Sequence, residues 1–182
     1  MDKVLYRNGR PLKIALIGGA RTGKDTIANY LGSKAGFKRL AFGDSLKDFL
    51  YGVFPDLPKE PKPRQAMIDF GQSCRAIDPL VWIKQLDRTA RTYEKNGYVN
   101  FVITDVRQPN EIEYCRKNGY LLVKVEASKE AQIKRAIAGG EVLDTDNILD
   151  SLALRFDSYD LRIENNGSLL DLYQQVDKIL EG

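Results

Sequence analysis

The chain has 182 residues, 43% of them apolar and 29% charged, a composition and size that fit one soluble globular domain. It has no histidine and only two cysteines, Cys74 and Cys115, which excludes Ser-His and Cys-His triads, histidine metal clusters and a disulfide framework. The net charge of +3 is too small for a dedicated nucleic-acid surface, and no run approaches the roughly 18 apolar residues of a membrane span. The first residues, Met1-Asp2-Lys3-Val4-Leu5-Tyr6-Arg7, lack the apolar core of a secretory leader, so a reducing cytoplasm is the expected location, with no membrane and no stable nucleic-acid partner. Charge is unevenly placed along the chain. Residues 1–65 hold thirteen Lys and Arg against six Asp and Glu, and residues 140–182 hold three against ten. That asymmetry favours a localised anion site unless the segments interleave in space.

In chain order, Lys13-Ile14-Ala15-Leu16-Ile17 is a short apolar run before glycines and reads as a buried strand. Lys24 to Ser33 has Ile27, Tyr30 and Leu31 at helical spacing. Phe37 to Ala41 reads as a short strand, and Asp44 or Ser45 is placed to cap a helix over Leu46, Phe49 and Leu50. Pro55, Pro58, Pro61 and Pro63 mark a loop. Arg64 to Ile77 is predicted helical, and Asp78-Pro79 starts another helix with Leu80, Ile83, Leu86, Ala90 and Tyr93 on one face. Val99 to Thr104 is a strand ending at Asp105, and Pro109 opens a helix closed by Asn118-Gly119. A strand over Tyr120–Val125, a helix over Lys129–Ile137 and a second helical stretch over 148–154 follow. A strand over Leu161–Glu164 and a last helix capped by Ser168 end the chain. Strands alternating with helices predict an α/β fold, a parallel sheet covered on both faces. Residues 44–96 are too long for one crossover and read as an inserted helical lobe within a single 1–182 domain.

The strongest chemical signal is Gly18-Gly19-Ala20-Arg21-Thr22-Gly23-Lys24-Asp25-Thr26, a glycine, four residues, then Gly-Lys, between a strand and a helix. Glycines admit positive φ and leave room for a ligand, successive N–H groups point inward, and the helix N-terminus adds positive potential. Lys24 supplies a mobile charge for terminal phosphates. Asp25 stands where Ser or Thr usually meets magnesium, and Thr26 follows one step late. Asp105 ends an apolar strand, where open parallel sheets gather ligands; it suits a magnesium ligand or, alternatively, a cap before a turn. Arg107, two residues on, reads either as a clamp for a phosphate or as a solvated surface arginine. Arg64 and Arg75, eleven residues apart, share a helix face after about three turns and read either as phosphate ligands or as surface charges. Phe42 and Trp82 are candidates to stack on a base, Trp82 equally a core residue of an amphipathic helix.

The Gly-Lys-Asp-Thr of the phosphate loop resembles that of phage deoxynucleoside monophosphate kinases. So do Ala41-Phe42-Gly43-Asp44-Ser45-Leu46-Lys47, the segment Arg64 to Gly71 with Arg75, Asp78 and Trp82, Asp105-Val106-Arg107 with Asn110-Glu111, and Ile163 to Gly167. The resemblance implies a P-loop three-layer fold with a five-stranded parallel sheet of order 2-3-1-4-5. It implies transfer of the γ-phosphate of ATP, with Mg2+, to a (deoxy)nucleoside monophosphate. The implied catalytic residues are Lys24, Asp105, Arg107 and Arg135, the last placed in a lid over 129–154, and Asp25 and Asp105 hold the metal. Residues 18–26 hold the ATP phosphates, and Arg135, Asn166 and Gly167 hold its base. Phe42, Asp44, Lys47, Arg64, Arg75, Asp78, Trp82 and Arg107 hold the acceptor. Lys134-Arg135 reads alternatively as the wet face of a helix. The expected partners are small-molecule nucleotides, with monomer and homodimer both open. Two other readings stay open: a kinase of another small phosphorylated acceptor, of the phosphomevalonate or dephospho-coenzyme A type, and a non-catalytic nucleotide-binding module.

Overall fold

Three central runs rich in Val, Ile and Leu are apolar on both faces, the pattern of a parallel sheet buried between helix layers, and two shorter strands with charged residues flank them. The computed structural model describes residues 6–7, 10–140 and 157–181. A two-residue antiparallel ladder, β1 (Tyr6–Arg7) with β2 (Arg10–Pro11), precedes the sheet. The sheet contains β3 (Lys13–Ile17), β4 (Lys38–Leu40), β5 (Phe101–Val106), β6 (Leu121–Glu126) and β7 (Leu161–Glu164), ordered β4-β5-β3-β6-β7. Every pairing is parallel. Counted within the sheet this is 2-3-1-4-5, the order expected. Among the described residues the helices are α1 (Lys24–Ala35), α2 (Phe42–Val53), α3 (Arg64–Ile77), α4 (Val81–Lys95), α5 (Pro109–Lys117), α6 (Lys129–Ala138) and α7 (Leu169–Glu181).

Alternation along the strands divides the core. Ile14, Leu16, Val102, Val123 and Val125 meet Ile27 and Leu31 of α1 and Leu172 and Val176 of α7 on one face. Ala15, Ile17, Phe101, Ile103 and Leu122 meet Phe42, Trp82 and Leu86 on the other, with Ile112 and Cys115 of α5. β3 and β5 do not stay in step: Ala15 lies opposite Ile103 but Ile17 lies opposite Val106. β5 thus carries one extra residue at Thr104–Asp105. Such an insertion re-aims side chains at the end of a strand, and here it falls where α2 starts.

Two helix starts depart from the sequence expectation. α2 begins at Phe42, not after Asp44 or Ser45, because its cap comes from another strand. α4 begins at Val81: Asp78 Oδ1 accepts from Leu80 N at 3.0 Å and its carbonyl from Val81 N at 3.0 Å, so Asp78-Pro79-Leu80 is a turn before the helix. On α4 the buried side chains are Trp82, Leu86 and Ala90, whereas Leu80 is 45% exposed. The helix expected over 148–154, and with it part of the 129–154 lid, lies outside the described residues. Among the described residues no helix is long and apolar enough to cross a membrane.

Candidate active site

The phosphate loop is shaped by close approaches that only glycine allows. A Cβ on Gly18 would overlap the Val125 carbonyl of β6. Gly23 has φ 106 at the N-cap of α1 and packs under the Asn165 side chain. Thr22, buried, donates from Oγ1 to the Gly19 carbonyl at 3.0 Å, and Asn165 Nδ2 donates to the Thr22 carbonyl at 2.8 Å. The β6 and β7 ends therefore hold the loop from below. Lys24 folds inward: its Nζ donates to the Gly18 carbonyl at 2.8 Å and the Gly19 carbonyl at 2.5 Å. Its ammonium thus lies inside the ring of main-chain groups, beside the first turn of α1, where an anion is favoured by the helix dipole and by amide N–H groups.

Across the sheet edge, Asp105 does what the sequence expectation assigned to Asp44 or Ser45. Its Oδ1 accepts from Phe42 N at 2.8 Å and its Oδ2 from Gly43 N at 2.8 Å, so it caps α2 from β5. Burial raises its pKa from the usual carboxylate value, against the two amides and Arg107, which lower it. The next carboxylate, Glu111, is 4% exposed. Its Oε2 accepts from Arg107 N at 2.8 Å and Gln108 N at 3.1 Å, forming the capping box of α5. Its Oε1 faces Arg75 Nη2 at 3.8 Å. Burial, aided by the nearby charge of Asp105, pushes its pKa up to about 7, against the two amides and Arg75. Burial lowers the pKa of Arg75 in turn.

A cleft of about 300 Å³ runs from Lys24 and Asp25 to Arg75 and Arg107. Phe42, Leu46, Met67 and Trp82 supply apolar wall; Arg39, Lys47 and Lys62 supply further positive charge; Gln72, Thr104 and Gln108 supply hydrogen-bonding groups. Of the residues expected to hold an acceptor, Phe42, Lys47, Arg75, Trp82 and Arg107 line this cleft, together with Asp25 and Asp105. The aromatic rings are wall elements. Phe42 is 3% exposed and meets Tyr114 edge-on at 6.3 Å, while Trp82 is 3% exposed, packs near Phe49 and Phe70, and donates from Nε1 to the Gly71 carbonyl at 3.3 Å.

Three expected residues stand apart from the lining. Asp44 binds Arg39 at 2.7 Å and Lys47 at 3.5 Å. Asp78 closes the turn that precedes α4 and binds Lys84 at 2.6 Å. Arg64 opens α3 and is exposed. It shares a face with Arg75, but eleven residues at 1.5 Å each put it about 16 Å farther along the helix, and Lys62 lines the cleft instead. On the donor side, Arg135 donates to the Arg21 carbonyl at 3.2 Å and the Asn165 carbonyl at 2.7 Å, tying the loop's tip to the end of β7. Asn166 accepts from Ser128 N at 2.6 Å and lines a second recess of about 270 Å³ with Thr22, Ser128 and Gln132. Gly167 lies against Asp171. Asp25 is 82% exposed on its side chain, with Arg39 at 3.9 Å. Sequence reasoning missed Arg39, Lys62, Glu111 and Asn165 as site residues. For Glu111 a signal existed: Gln108-x-x-Glu111 before an apolar helix has the spacing of a capping box.

The profile of the deoxynucleotide monophosphate kinase family matches residues 64–176. A deoxynucleotide monophosphate kinase of Escherichia phage RB69 is 31% identical over 104 residues, covering 57% of this chain and 38% of the phage protein. The chain therefore spans little more than a third of that relative. A protein of Acanthamoeba polyphaga mimivirus bearing the same family name is 26% identical over 191 residues, covering 90% of this chain and 93% of the relative. Among solved structures, Mycobacterium tuberculosis APS kinase CysC in complex with AMPPNP and APS superposes with a TM-score of 0.58 at 18% identity, covering 95% of this chain and 99% of that one, a likeness of fold.

Proposed function

The chain belongs to the deoxynucleotide monophosphate kinase family, and we propose that it transfers the γ-phosphoryl group of ATP to a deoxynucleoside monophosphate, giving ADP and the diphosphate. One observation carries the reading: a single cleft joins Lys24 of the phosphate loop to Arg75 and Arg107, so a donor's terminal phosphate and an acceptor's phosphate meet in one space. In-line phosphoryl transfer needs positioning and positive charge more than proton chemistry, which a chain without histidine can supply. Lys24 neutralises the transferred group, Arg75 and Arg107 hold the acceptor phosphate, and the walls of Phe42 and Trp82 exclude water. Arg135 keeps the tip of the loop, Arg21, in place against β7 on the donor side. Two free thiols, Cys74 and Cys115, fit a reducing cytoplasm.

The side chains present fit Mg2+. Asp25 offers an exposed hard oxygen ligand beside Lys24, while both oxygens of Asp105 already accept amide N–H groups and suit contact through water. When bound, the ion supplies charge neutralisation between the donor's terminal phosphates.

The test is ATP consumption by the purified chain against all common nucleoside and deoxynucleoside monophosphates. Turnover with one or more deoxynucleotides is expected. Consumption by none of them, beside clear ATP binding, refutes the reading.

A further inference from the structure

Glu111 has a place that helix capping alone does not account for. A capping-box carboxylate needs one oxygen, directed at the N-cap amide, and sits on the helix surface. Glu111 uses Oε2 for two amides, Arg107 N and Gln108 N, is 4% exposed, and turns Oε1 across to Arg75 on α3. It is also a lining residue of the cleft. The charged and titratable groups around it are Arg75 from α3, Asp105 from β5, Arg107 beyond β5 and Cys115 from α5. Asp105 repels it, so this placement is held by Arg75 and by the amides that Glu111 orders.

We propose that Glu111 is the positioning residue of the acceptor site: a single carboxylate that fixes Arg75 and the Arg107–Gln108 turn relative to one another, so that both cations present themselves to one phosphate. The inference rests on the kinase reading, in that the ligand of the two arginines is taken to be the acceptor monophosphate. Two elements far apart in sequence supply these arginines. Without a shared anchor, each long side chain would have to be ordered separately when ligand binds. Glu111 eases that requirement for Arg75 through its side chain, and for Arg107 it fixes the main chain from which the side chain extends. Glu→Gln is not conservative here, since it can set an NH2 in place of the carboxylate oxygen that Arg75 Nη2 faces at 3.8 Å.

Calorimetric titration of the full chain with dAMP, dGMP, dCMP and dTMP in turn, and separately with AMPPNP, tests this. It compares the unsubstituted protein, Glu111→Gln, Arg75→Ala and the double variant. Glu111→Gln keeps one oxygen for the Arg107 and Gln108 amides but turns an NH2 toward Arg75. All four monophosphates should weaken by roughly tenfold, the loss of about 1.4 kcal/mol, with AMPPNP affinity unchanged. The double variant should bind no worse than Arg75→Ala alone, because the two changes remove one interaction. In turnover the acceptor KM should rise and the donor KM stay in place. Should Glu111→Gln fail to fold, Glu111→Asp retains the charge but, one carbon shorter, cannot reach both the amides and Arg75, and the same acceptor-selective loss is expected. Unaltered monophosphate affinity, additive losses in the double variant, or an equal loss of AMPPNP affinity overturns the proposal while leaving the kinase reading intact. An unsubstituted protein that binds none of the four monophosphates overturns both.

Discussion

The ionisation of Glu111 should leave a measurable mark on folding stability. Its carboxyl is raised from 4.5 to about 7, chiefly by burial. Between those values the folded chain holds a proton that the unfolded chain has released. Stability from this group is therefore fully present below about pH 4.5 and is lost as the pH rises through about 7, since stability falls with pH wherever the folded state binds more protons. At 1.36 kcal/mol per unit, the shift amounts to about 3 kcal/mol. For a chain of this size that corresponds to about 6–12 °C in Tm. Urea unfolding at half-unit steps from pH 4.5 to 8, on the unsubstituted protein and on Glu111→Gln, isolates the effect. Glutamine does not titrate, so subtracting its profile removes the contribution of Asp105 and all other groups to first order. The difference should decline monotonically across that interval. Parallel profiles would refute the burial argument and mean that Glu111 is ionised and well solvated near neutral pH. A difference that grows with pH would mean that Arg75 and the two amides outweigh desolvation.

Lys24→Ala should lower the rate of phosphoryl transfer by on the order of 3 kcal/mol, more than a hundredfold, with Tm little changed, because the partners Lys24 gives up are main-chain carbonyls of a loop; steady-state kinetics beside a thermal melt decides it. Asp105→Ala strands the amides of Phe42 and Gly43 and should cost about 2–4 kcal/mol of stability, read by urea unfolding, as well as raising the magnesium concentration needed for half-maximal rate. Asp25→Ser should keep much of the activity, checked in the same magnesium titration. Gly23→Ala must adopt a left-handed conformation at φ 106 and push aside Asn165, so a loss of about 1–3 kcal/mol and weaker AMPPNP binding by calorimetry are expected.

What could be read from the sequence was whatever is encoded locally. The limits of α3 and β7 follow from a proline-terminated loop, an apolar run and a turn, all within a few residues. The phosphate loop is contiguous, so its chemistry and its place between β3 and α1 were evident from nine letters. The start of α2 was not, because its cap is Asp105, 63 positions away, and no local pattern announces a carboxylate from another strand. The two readings offered for Asp105, metal ligand and cap, were both alive for that reason; the cap is realised across the sheet. Leu80 is missing from the buried face of α4 because the Asp78-Pro79 turn leaves it before the helix, while Leu86 and Ala90 stay on that face beside Trp82. Arg64 and Arg75 share a helical direction, but periodicity says nothing of distance along the axis. Asn165 looked like part of a turn, and its support of Thr22 depends on β7 lying beside β6, a fact of topology.

The helix ends around the cleft bear on how the proposed kinase would sort its phosphates. Three helices, α1, α2 and α5, direct their N-termini toward the cleft, and each such terminus attracts anions. Two are closed by the protein's own carboxylates: Asp105 takes the amides of Phe42 and Gly43, and Glu111 takes those of Arg107 and Gln108. α1 has Gly23 at its N-cap, which has no side chain to cap it, and Lys24 is folded beside it. On the proposed kinase reading, α1 is therefore the terminus that would take a polyanionic donor. The carboxylates that close the other two termini lie near Arg75 and Arg107, where on the proposed kinase reading they would hold the acceptor's cations and repel a second triphosphate. On the proposed kinase reading, discrimination between donor and acceptor would follow from which helix ends are already occupied by the protein's own carboxylates.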